Sequence, residues 1–139
     1  GTIGSLHHEY DFAKEVKRLN ATGSEIVFQL YDRDKSKARS VAKYFLDMQK
    51  ASRVCYDLLS KNGLALFLIG NTEYRGIRMD NVKHLAESLE SSGFKNLKVT
   101  KRKISRKFLT PYRTKAGKFT SDSTGRKVYS EEFIIVGYK

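Results

Sequence analysis

The stretch Leu64-Ala65-Leu66-Phe67-Leu68-Ile69 carries the strongest fold signal in this sequence. Its six apolar residues stand in a row between Gly63 and Gly70, and no polar or charged side chain interrupts them. A continuous apolar run of this length, bounded by glycines, is typical of a parallel β-strand that is covered on both faces. We therefore expect a central strand at 64–69, with parallel strands beside it in the sheet.

A long amphipathic helix is predicted immediately before this strand, over residues 36–61. Asp34 or Ser36 can cap its start with a side-chain oxygen, and Asn62-Gly63 provides the left-handed residue that ends such a helix. Its inward-facing residues are predicted to be Val41, Phe45, Met48, Ala51, Ser52, Val54, Cys55, Leu58 and Leu59. Among these, Cys55 is interpreted as a small hydrophobic core residue rather than a nucleophile.

A second helix is predicted after the strand, from its N-cap Asp80 to Ser92, and Gly93 ends it. His84 is expected at its surface. The inward residues of this helix are predicted to be Val82, Leu85, Ala86 and Leu89. The other predicted elements are a short helix over 8–19, a turn over 20–23, a helical lead-in or short strand over 25–31, a strand over 94–104, a polar and basic connection over 105–127 and a final strand over 128–138.

Helices that alternate with strands indicate an α/β fold, and the length favours one domain over residues 1–139. The sequence offers few candidate strands ahead of 64–69. Either the N-terminal segment supplies a neighbour for that strand, or part of the sheet is missing.

Composition excludes several classes of protein. The single cysteine precludes an internal disulfide or a multi-cysteine zinc site, and His7, His8 and His84 lack the spacing of metal ligands. The 64–69 run is too short to span a membrane, and no signal-peptide pattern opens the sequence. We therefore expect a cytoplasmic protein with no metal site and no membrane partner. Because the sequence begins with Gly1 rather than Met, we also expect that it was processed or cut from a longer protein.

Positive charge is concentrated towards the C-terminus. The formal net charge is +12, yet residues 1–90 carry 14 basic and 12 acidic side chains, whereas residues 91–139 carry 13 basic and 3 acidic ones. No acid lies between Glu90 and Asp122, a stretch with ten bases. Such a block repels itself unless a polyanion neutralises it, which favours a nucleic acid as the partner. The alternative is a solvated basic face that only aids solubility.

Aromatic residues interleave with the bases of this block. Cations can meet phosphates while rings stack on bases or wedge between them. The residues predicted to bind nucleic acid are Arg102, Lys103, Arg106, Lys107, Tyr112, Arg113, Lys115 and Lys118. In the alternative interpretation, Phe108 and Phe119 pack a hairpin core and the lysines are solvated.

From about residue 41 onward, over roughly 100 of the 139 residues, the sequence resembles the second half of a class I S-adenosylmethionine-dependent methyltransferase. The resemblance is carried by Leu58-Leu59-Ser60-Lys61-Asn62-Gly63, by the following strand with Ile69-Gly70-Asn71-Thr72, by Leu89-Glu90-Ser91-Ser92-Gly93-Phe94 and by a closing antiparallel β-hairpin. The basic tail, over 104–133, is similar more narrowly to the DNA methyltransferases of the N6-adenine/N4-cytosine group. The resemblance implies a partial Rossmann-like sheet with flanking helices, DNA as the substrate and S-adenosylmethionine as the cofactor of the parent enzyme.

The resemblance also implies where the acceptor base would lie. Ligands of open α/β sheets gather beyond the carboxyl ends of the strands, which here is the segment after Ile69. The predicted substrate pocket consists of Gly70, Asn71, Thr72, Tyr74 and Arg75. Tyr74 and Arg75, with the nearby Arg78, suit stacking on a base and pairing with phosphate. The alternatives are a plain strand-ending turn at Gly70-Asn71 and an ordinary exposed loop after it.

Two motifs of that family do not occur in the sequence. There is no glycine-rich cofactor loop of the Phe-x-Gly-x-Gly type, and a chain with Pro111 as its one proline cannot contain the (Asp/Asn/Ser)-Pro-Pro-(Tyr/Phe) motif that holds a flipped base. Thr110-Pro111-Tyr112 is similar to that motif but lacks its second proline. We therefore assign no catalytic residue and leave the cofactor-binding residues unknown.

These absences lead to a specific expectation about activity. The chain is expected to be the C-terminal portion of a methyltransferase that binds no S-adenosylmethionine alone, is inactive alone and needs the missing N-terminal part of the same protein. Self-association through an exposed sheet edge is expected as well. One alternative is a stand-alone basic module that binds DNA or RNA without catalysis. Another is a fragment of an RNA or protein methyltransferase, because a fold does not fix the substrate.

Overall fold

The computed structural model describes residues 11–103, 112–113, 119–120, 126–127 and 131–139. The helices of these residues, α1 to α4, are 11–18, Ala21–Arg33, Lys35–Leu58 and Asn81–Ser92. The strands, β1 to β8, are Leu64–Ile69, Thr72–Tyr74, Ile77–Met79, Lys95–Lys103, Tyr112–Arg113, Phe119–Thr120, Arg126–Lys127 and Glu131–Tyr138. The protein is a mixed α/β structure, as predicted.

Side-chain caps begin three of the helices. Asn20, Asp34 and Asp80 each accept a hydrogen bond from the backbone N–H three residues later, at 2.8, 3.0 and 3.1 Å. In each case the side chain satisfies a first-turn N–H that has no carbonyl partner within the helix. The predicted caps Asp34 and Asp80 are confirmed, and so is the end of α4 at Gly93, whose φ is 115°.

Residues 25–31, predicted as a helical lead-in or a short strand, belong to α2, and the turn predicted at 20–23 is its N-cap and first turn. Ile26, Val27 and Leu30 are buried at helical spacing. The secondary structure of this segment was ambiguous in the sequence because Phe28 extends the run of apolar residues. In the structure Phe28 lies outside the buried face of α2, and its side chain is 63% exposed.

The C-terminal end of α3 lies earlier than predicted. The helix ends at Leu58, and Asn62, with φ 68°, takes the left-handed conformation beyond it. Lys139 Nζ donates hydrogen bonds to the carbonyl oxygens of Tyr56 and Leu59 at 2.8 and 2.9 Å. Lys139 thereby adds a donor to two carbonyl groups at the end of α3, of which that of Tyr56 also accepts from the backbone N–H of Leu59 at 3.3 Å.

The inward stripe of α3 differs from the predicted one. Of the predicted residues, Val41, Phe45, Met48, Ser52, Cys55 and the C-cap Leu59 are buried or half-buried, and so are Ala38, Ala42, Leu46, Gln49 and Tyr56, which were not predicted. Ala51, Val54 and Leu58, also predicted inward, are exposed, with Leu58 at 80%. Each precedes a stripe residue by one position and is therefore rotated by about 100° around the helix axis.

β1, β8 and β4 form a three-stranded sheet in that order. β8 is antiparallel to both neighbours, with Leu66 opposite Val136 and Val99 opposite Ile135. β1 and β4 therefore run in the same direction, and α4 lies between them in the chain. The antiparallel pairing predicted for the last two long strands is confirmed by β4 and β8.

The prediction that 64–69 is a central strand with parallel neighbours and cover on both faces is wrong for the described residues. β1 is an edge strand, and its neighbour β8 is antiparallel. Its residues alternate between the two faces. Ala65, Phe67 and Ile69 face the core, and Leu64, Leu66 and Leu68 face outward. The three outward leucines are 54 to 59% exposed. An apolar run indicates two apolar faces, but it does not show whether both are covered.

The side of this sheet that carries the exposed leucines is called the outer face here. Residues directly opposite in an antiparallel pair share a face, so the strand registers define its other members. The outer face comprises Leu64, Leu66 and Leu68 of β1, Glu132, Ile134, Val136 and Tyr138 of β8, and Lys98, Thr100 and Arg102 of β4. It is therefore apolar over β1 and over β8 from Ile134 to Tyr138, and it is charged at Glu132 of β8 and at Lys98 and Arg102 of β4.

Two shorter antiparallel sheets complete the described strands. β2 and β3 form a hairpin directly after β1. β5 pairs with β6 and β7, so the connection predicted over 105–127 contains strands.

Two hydrophobic clusters hold the helices and the main sheet together. The first joins α1, α2, α3 and β3 around Leu30 and Phe45, and the second joins α3, α4, β1 and β8 around Leu89 and Ile135. Cys55 packs, half-buried, against the second cluster, in line with its interpretation as a small hydrophobic residue.

Candidate acceptor site and nucleic-acid interface

The segment after β1 is fastened to the start of α4. Asn71 is 6% exposed, and its Oδ1 accepts a hydrogen bond from the backbone N–H of Val82 at 3.1 Å. Asn81 Nδ2 donates to the carbonyl oxygen of Gly70 at 3.1 Å and to Thr72 Oγ1 at 3.4 Å. The Asn71 side chain therefore acts as a connector between the loop and the helix, which favours the strand-ending turn. A direct contact between Asn71 and an acceptor base stays a prediction.

Tyr74 lies half-buried on β2 and is tied to the start of α3. Its hydroxyl donates a hydrogen bond to Asp34 Oδ2 at 2.7 Å, and Asp34 Oδ1 accepts from the backbone N–H of Lys37. The Lys37 backbone N–H and the Tyr74 hydroxyl hold the pKa of the Asp34 carboxyl below its usual value, and the bond to Asp34 raises the pKa of the Tyr74 hydroxyl. Lys37 Nζ lies 4.8 Å from the centre of the Tyr74 ring. These contacts support an anchoring role for Tyr74 more than the predicted stacking on a base.

Arg75 occupies the tip of the β2–β3 hairpin. Tyr74 pairs with Ile77, so Arg75 and Gly76 form a two-residue loop, and both have positive φ, 47° and 81°. Two positive φ values are the pattern of a type I′ turn. The Arg75 guanidinium is exposed and lies over the Tyr74 ring, 5.5 Å from its centre.

The α2–α3 corner adds cations that the sequence did not single out. Arg33, the last residue of α2, donates from Nη1 to the Arg75 carbonyl oxygen at 2.6 Å. Together with Lys37, it lies beside the hairpin tip although the two segments are about forty residues apart in the chain. Only the tertiary contact between the α2–α3 corner and the hairpin reveals this grouping.

β4 forms a basic edge on the main sheet. Five of its nine residues are cationic, namely Lys95, Lys98, Lys101, Arg102 and Lys103. Arg102 stands opposite Glu132 in the register with β8, and the backbone of Lys103 stands opposite that of Glu131. Lys95, Lys98 and Lys101, which the sequence did not single out, extend the same edge.

The remaining residues predicted to bind nucleic acid are described in part or not at all. The backbone of Tyr112 and Arg113 forms β5. Arg106, Lys107, Lys115 and Lys118, as well as Phe108, lie outside the described residues, and Phe119 is placed by its backbone in β6. The charge concentration of that segment is therefore a property of the sequence alone.

The prediction that His84 lies at the surface is wrong. His84 is 1% exposed, its ring stacks on Phe45 with centres 4.0 Å apart, and its Nε2 lies 3.2 Å from Gln49 Oε1. Burial lowers the pKa of its imidazole from 6.5 to about 4, although the nearby Glu87 raises it somewhat. His84 is thus a neutral core residue.

Polar contacts surround His84 between α2, α3 and α4. Asn20 Nδ2 donates to the His84 carbonyl oxygen at 3.1 Å and to Ser88 Oγ at 3.2 Å. The Thr22 hydroxyl donates to Glu87 at 2.5 Å. These bonds fasten the start of α2 to α4, and we assign them a structural role.

In the part of the chain that the structure describes, no three His, Cys, Asp or Glu residues are grouped as metal ligands would be. None of the described helices combines the length and the apolar character that crossing a membrane requires. Comparisons with protein-family models, with curated proteins and with solved structures gave no match.

Proposed function

We propose that this chain is the C-terminal part of a DNA methyltransferase that transfers a methyl group from S-adenosylmethionine to an exocyclic amine of a base. In this proposal the chain supplies the acceptor-side loop after β1 and a DNA-binding surface. The missing N-terminal part of the protein supplies the cofactor loop and the catalytic motif. The resemblance of residues 41–139 to that family is the starting point.

The observation that carries the proposal is the difference between the two edges of the main sheet. β4 is protected against further strand pairing by its five cations, whereas β1 has neither a charge nor a proline. Natural proteins usually protect exposed edge strands with such residues. Among the strands that the structure describes, only β8 pairs with β1. Such an edge, beside exposed leucines, is expected where the sheet continues into another part of a larger protein.

The chain direction within the sheet supports the same proposal. β1, α4 and β4 form a strand–helix–strand unit whose two strands are parallel, although β8 lies between them. Such units build open α/β sheets, in which ligands lie beyond the carboxyl ends of the strands. Gly70 and Thr72 occupy that position at β1, and we propose that they line the acceptor pocket with Arg75.

S-adenosylmethionine does not fit the residues at this end of β1. The Gly70 carbonyl is bonded to Asn81, and the Asn71 side chain is buried against α4, so the loop is fastened down rather than open around a ligand. The cofactor would therefore be held by the N-terminal part. This chain's own contribution is to position the DNA and to shape one wall of the pocket.

Mass spectrometry of nucleosides tests the proposal. DNA from cells that express the entire reading frame containing this sequence is expected to carry N6-methyladenine or N4-methylcytosine. This chain alone is expected to bind duplex DNA with a steep salt dependence and to give no binding heat with S-adenosylmethionine. Methyl transfer by this chain alone, or unmodified DNA in cells that accumulate the folded full-length protein, would contradict the proposal.

A stand-alone nucleic-acid-binding module is the second candidate. Two observations favour it. β8 lies between β1 and β4, and Lys139 is hydrogen-bonded to the end of α3. Residues of this chain therefore complete the packing of the main sheet and of α3. Such a module would be monomeric at high concentration and would bind DNA or RNA. A longer protein that contains such a module would not transfer methyl groups.

A further inference from the structure

The tip of the β2–β3 hairpin holds arginine where the backbone favours other residues. Arg75 has φ 47° and precedes Gly76 in a two-residue loop with two positive φ values. Asparagine, aspartate and glycine are preferred at this position, because the Cβ of an L-residue with φ above zero crowds its own backbone, and the short polar side chain of asparagine or aspartate can offset this cost with a local hydrogen bond. A residue in a conformation that is costly for its side chain marks a candidate functional position.

Neighbouring side chains hold this arginine in a defined place. Arg33 Nη1 binds the Arg75 carbonyl oxygen, and the guanidinium of Arg75 and the ammonium of Lys37 both lie over the ring of Tyr74. The tip is thereby joined to the α2–α3 corner, and three cations, the exposed Arg33 and Arg75 and the half-buried Lys37, lie around it.

The carboxylate of Asp34 lies beside these cations. Its oxygens accept hydrogen bonds from the Lys37 backbone and from Tyr74, and these bonds, together with the charge of Arg75, lower its pKa and keep it ionised. It therefore offsets one of the three positive charges. Asp34 thus orients Tyr74 and starts α3. Glu73 stands opposite Arg78, a base outside the three-cation group, in the hairpin register.

We propose that Arg33, Lys37 and Arg75 bind the phosphate backbone of DNA as a second contact, separate from β4 and the basic segment after it. Guanidinium groups match phosphate oxygens in geometry, and preorganised cations lose little freedom on binding. The hairpin starts within three residues of the carboxyl end of β1, so a phosphate here would flank a base at the acceptor site. This inference rests on the proposed DNA partner.

Fluorescence anisotropy with a labelled 20-base-pair duplex, from about 50 to 200 mM salt, tests the inference. Arg75→Asn removes one charge and places the favoured residue before Gly76, so folding is expected to be preserved. Lys50→Gln is the matched control, because it also removes one charge, from an exposed position about 20 Å along α3 from Lys37. Arg75→Asn should flatten the slope of log affinity against log salt by about 0.9 relative to the wild type, whereas Lys50→Gln should leave it unchanged.

Lys37→Gln and the wild type together distinguish a failure of the proposed three-cation contact from a failure of DNA binding altogether. Lys37→Gln should flatten the slope as Arg75→Asn does, because the Asp34 cap uses only the backbone of Lys37. If both variants behave as Lys50→Gln does while the wild type binds DNA, this inference is overturned and the DNA partner stands. If the wild type does not bind DNA, both the inference and the proposed DNA-binding role fail.

Discussion

Acidification from pH 8 to pH 5 should destabilise this protein through His84. The imidazole is buried between Phe45 and Gln49, and burial lowers its pKa from 6.5 to about 4. Between these values the unfolded chain binds more protons than the folded chain does. The contribution of the neutral His84 to the unfolding free energy is therefore fully present above pH 6.5 and is lost as the pH falls towards 4. The pKa difference corresponds to roughly 3 kcal/mol in total, of which about 2 kcal/mol is lost between pH 8 and pH 5.

Urea unfolding followed by circular dichroism at pH 8, 7, 6 and 5 measures this loss. His84→Gln is the control, because glutamine can still donate a hydrogen bond to Gln49 but does not titrate. The wild type should lose about 2 kcal/mol of unfolding free energy over this range, and the variant much less. The lowered pKa of Asp34 places its protonation below this pH window. Equal pH profiles for the two proteins would refute the assignment of His84 as a neutral core residue.

Three substitutions test other contacts by their effect on stability. Tyr74→Phe removes the hydrogen bond from the Tyr74 hydroxyl to Asp34 and should lower the unfolding free energy in urea by about 1 kcal/mol. Carbon NMR should show the pKa of Asp34 rising towards its usual value, and an unchanged pKa would argue against this hydrogen bond. Lys139→Met should lower the unfolding free energy by about 1 kcal/mol, because the last carbonyls of α3 lose a donor, and an unaltered thermal melt would contradict this. Phe45→Ala should cost about 3 to 5 kcal/mol, since Phe45 is fully buried, and a loss below 1 kcal/mol would contradict the packing around it.

Local signals made the helices predictable. Asp34, Asp80 and Gly93 act within one turn of the residues that they cap, so their effect is visible in the sequence. His84 is different, because its neighbours Phe45 and Gln49 lie on α3, more than thirty residues away. α4 buries a polar stripe against α2 and α3 in addition to its apolar stripe, and hydrophobic spacing alone does not reveal the polar one.

The end of β1 was predictable from the sequence, whereas the contacts made by the residues that follow it were not. The loop after β1 was found because chain direction and glycine placement indicate where a strand ends. The bond between Asn71 and Val82, the anchoring of Tyr74 by Asp34 and the approach of Arg33 to Arg75 all depend on tertiary contacts.

Hydrogen exchange along β1 tests most directly whether the edge of this strand that pairs with no described residue, together with its exposed leucines, is an interface within a larger protein. In this chain as a monomer, the alternate amides of 64–69 that do not pair with β8 should exchange rapidly, while those that pair with β8 are protected. In the full-length protein proposed here, both sets should be protected, because a further strand covers the edge. Rapid exchange of the unpaired set in the full-length protein would contradict the account.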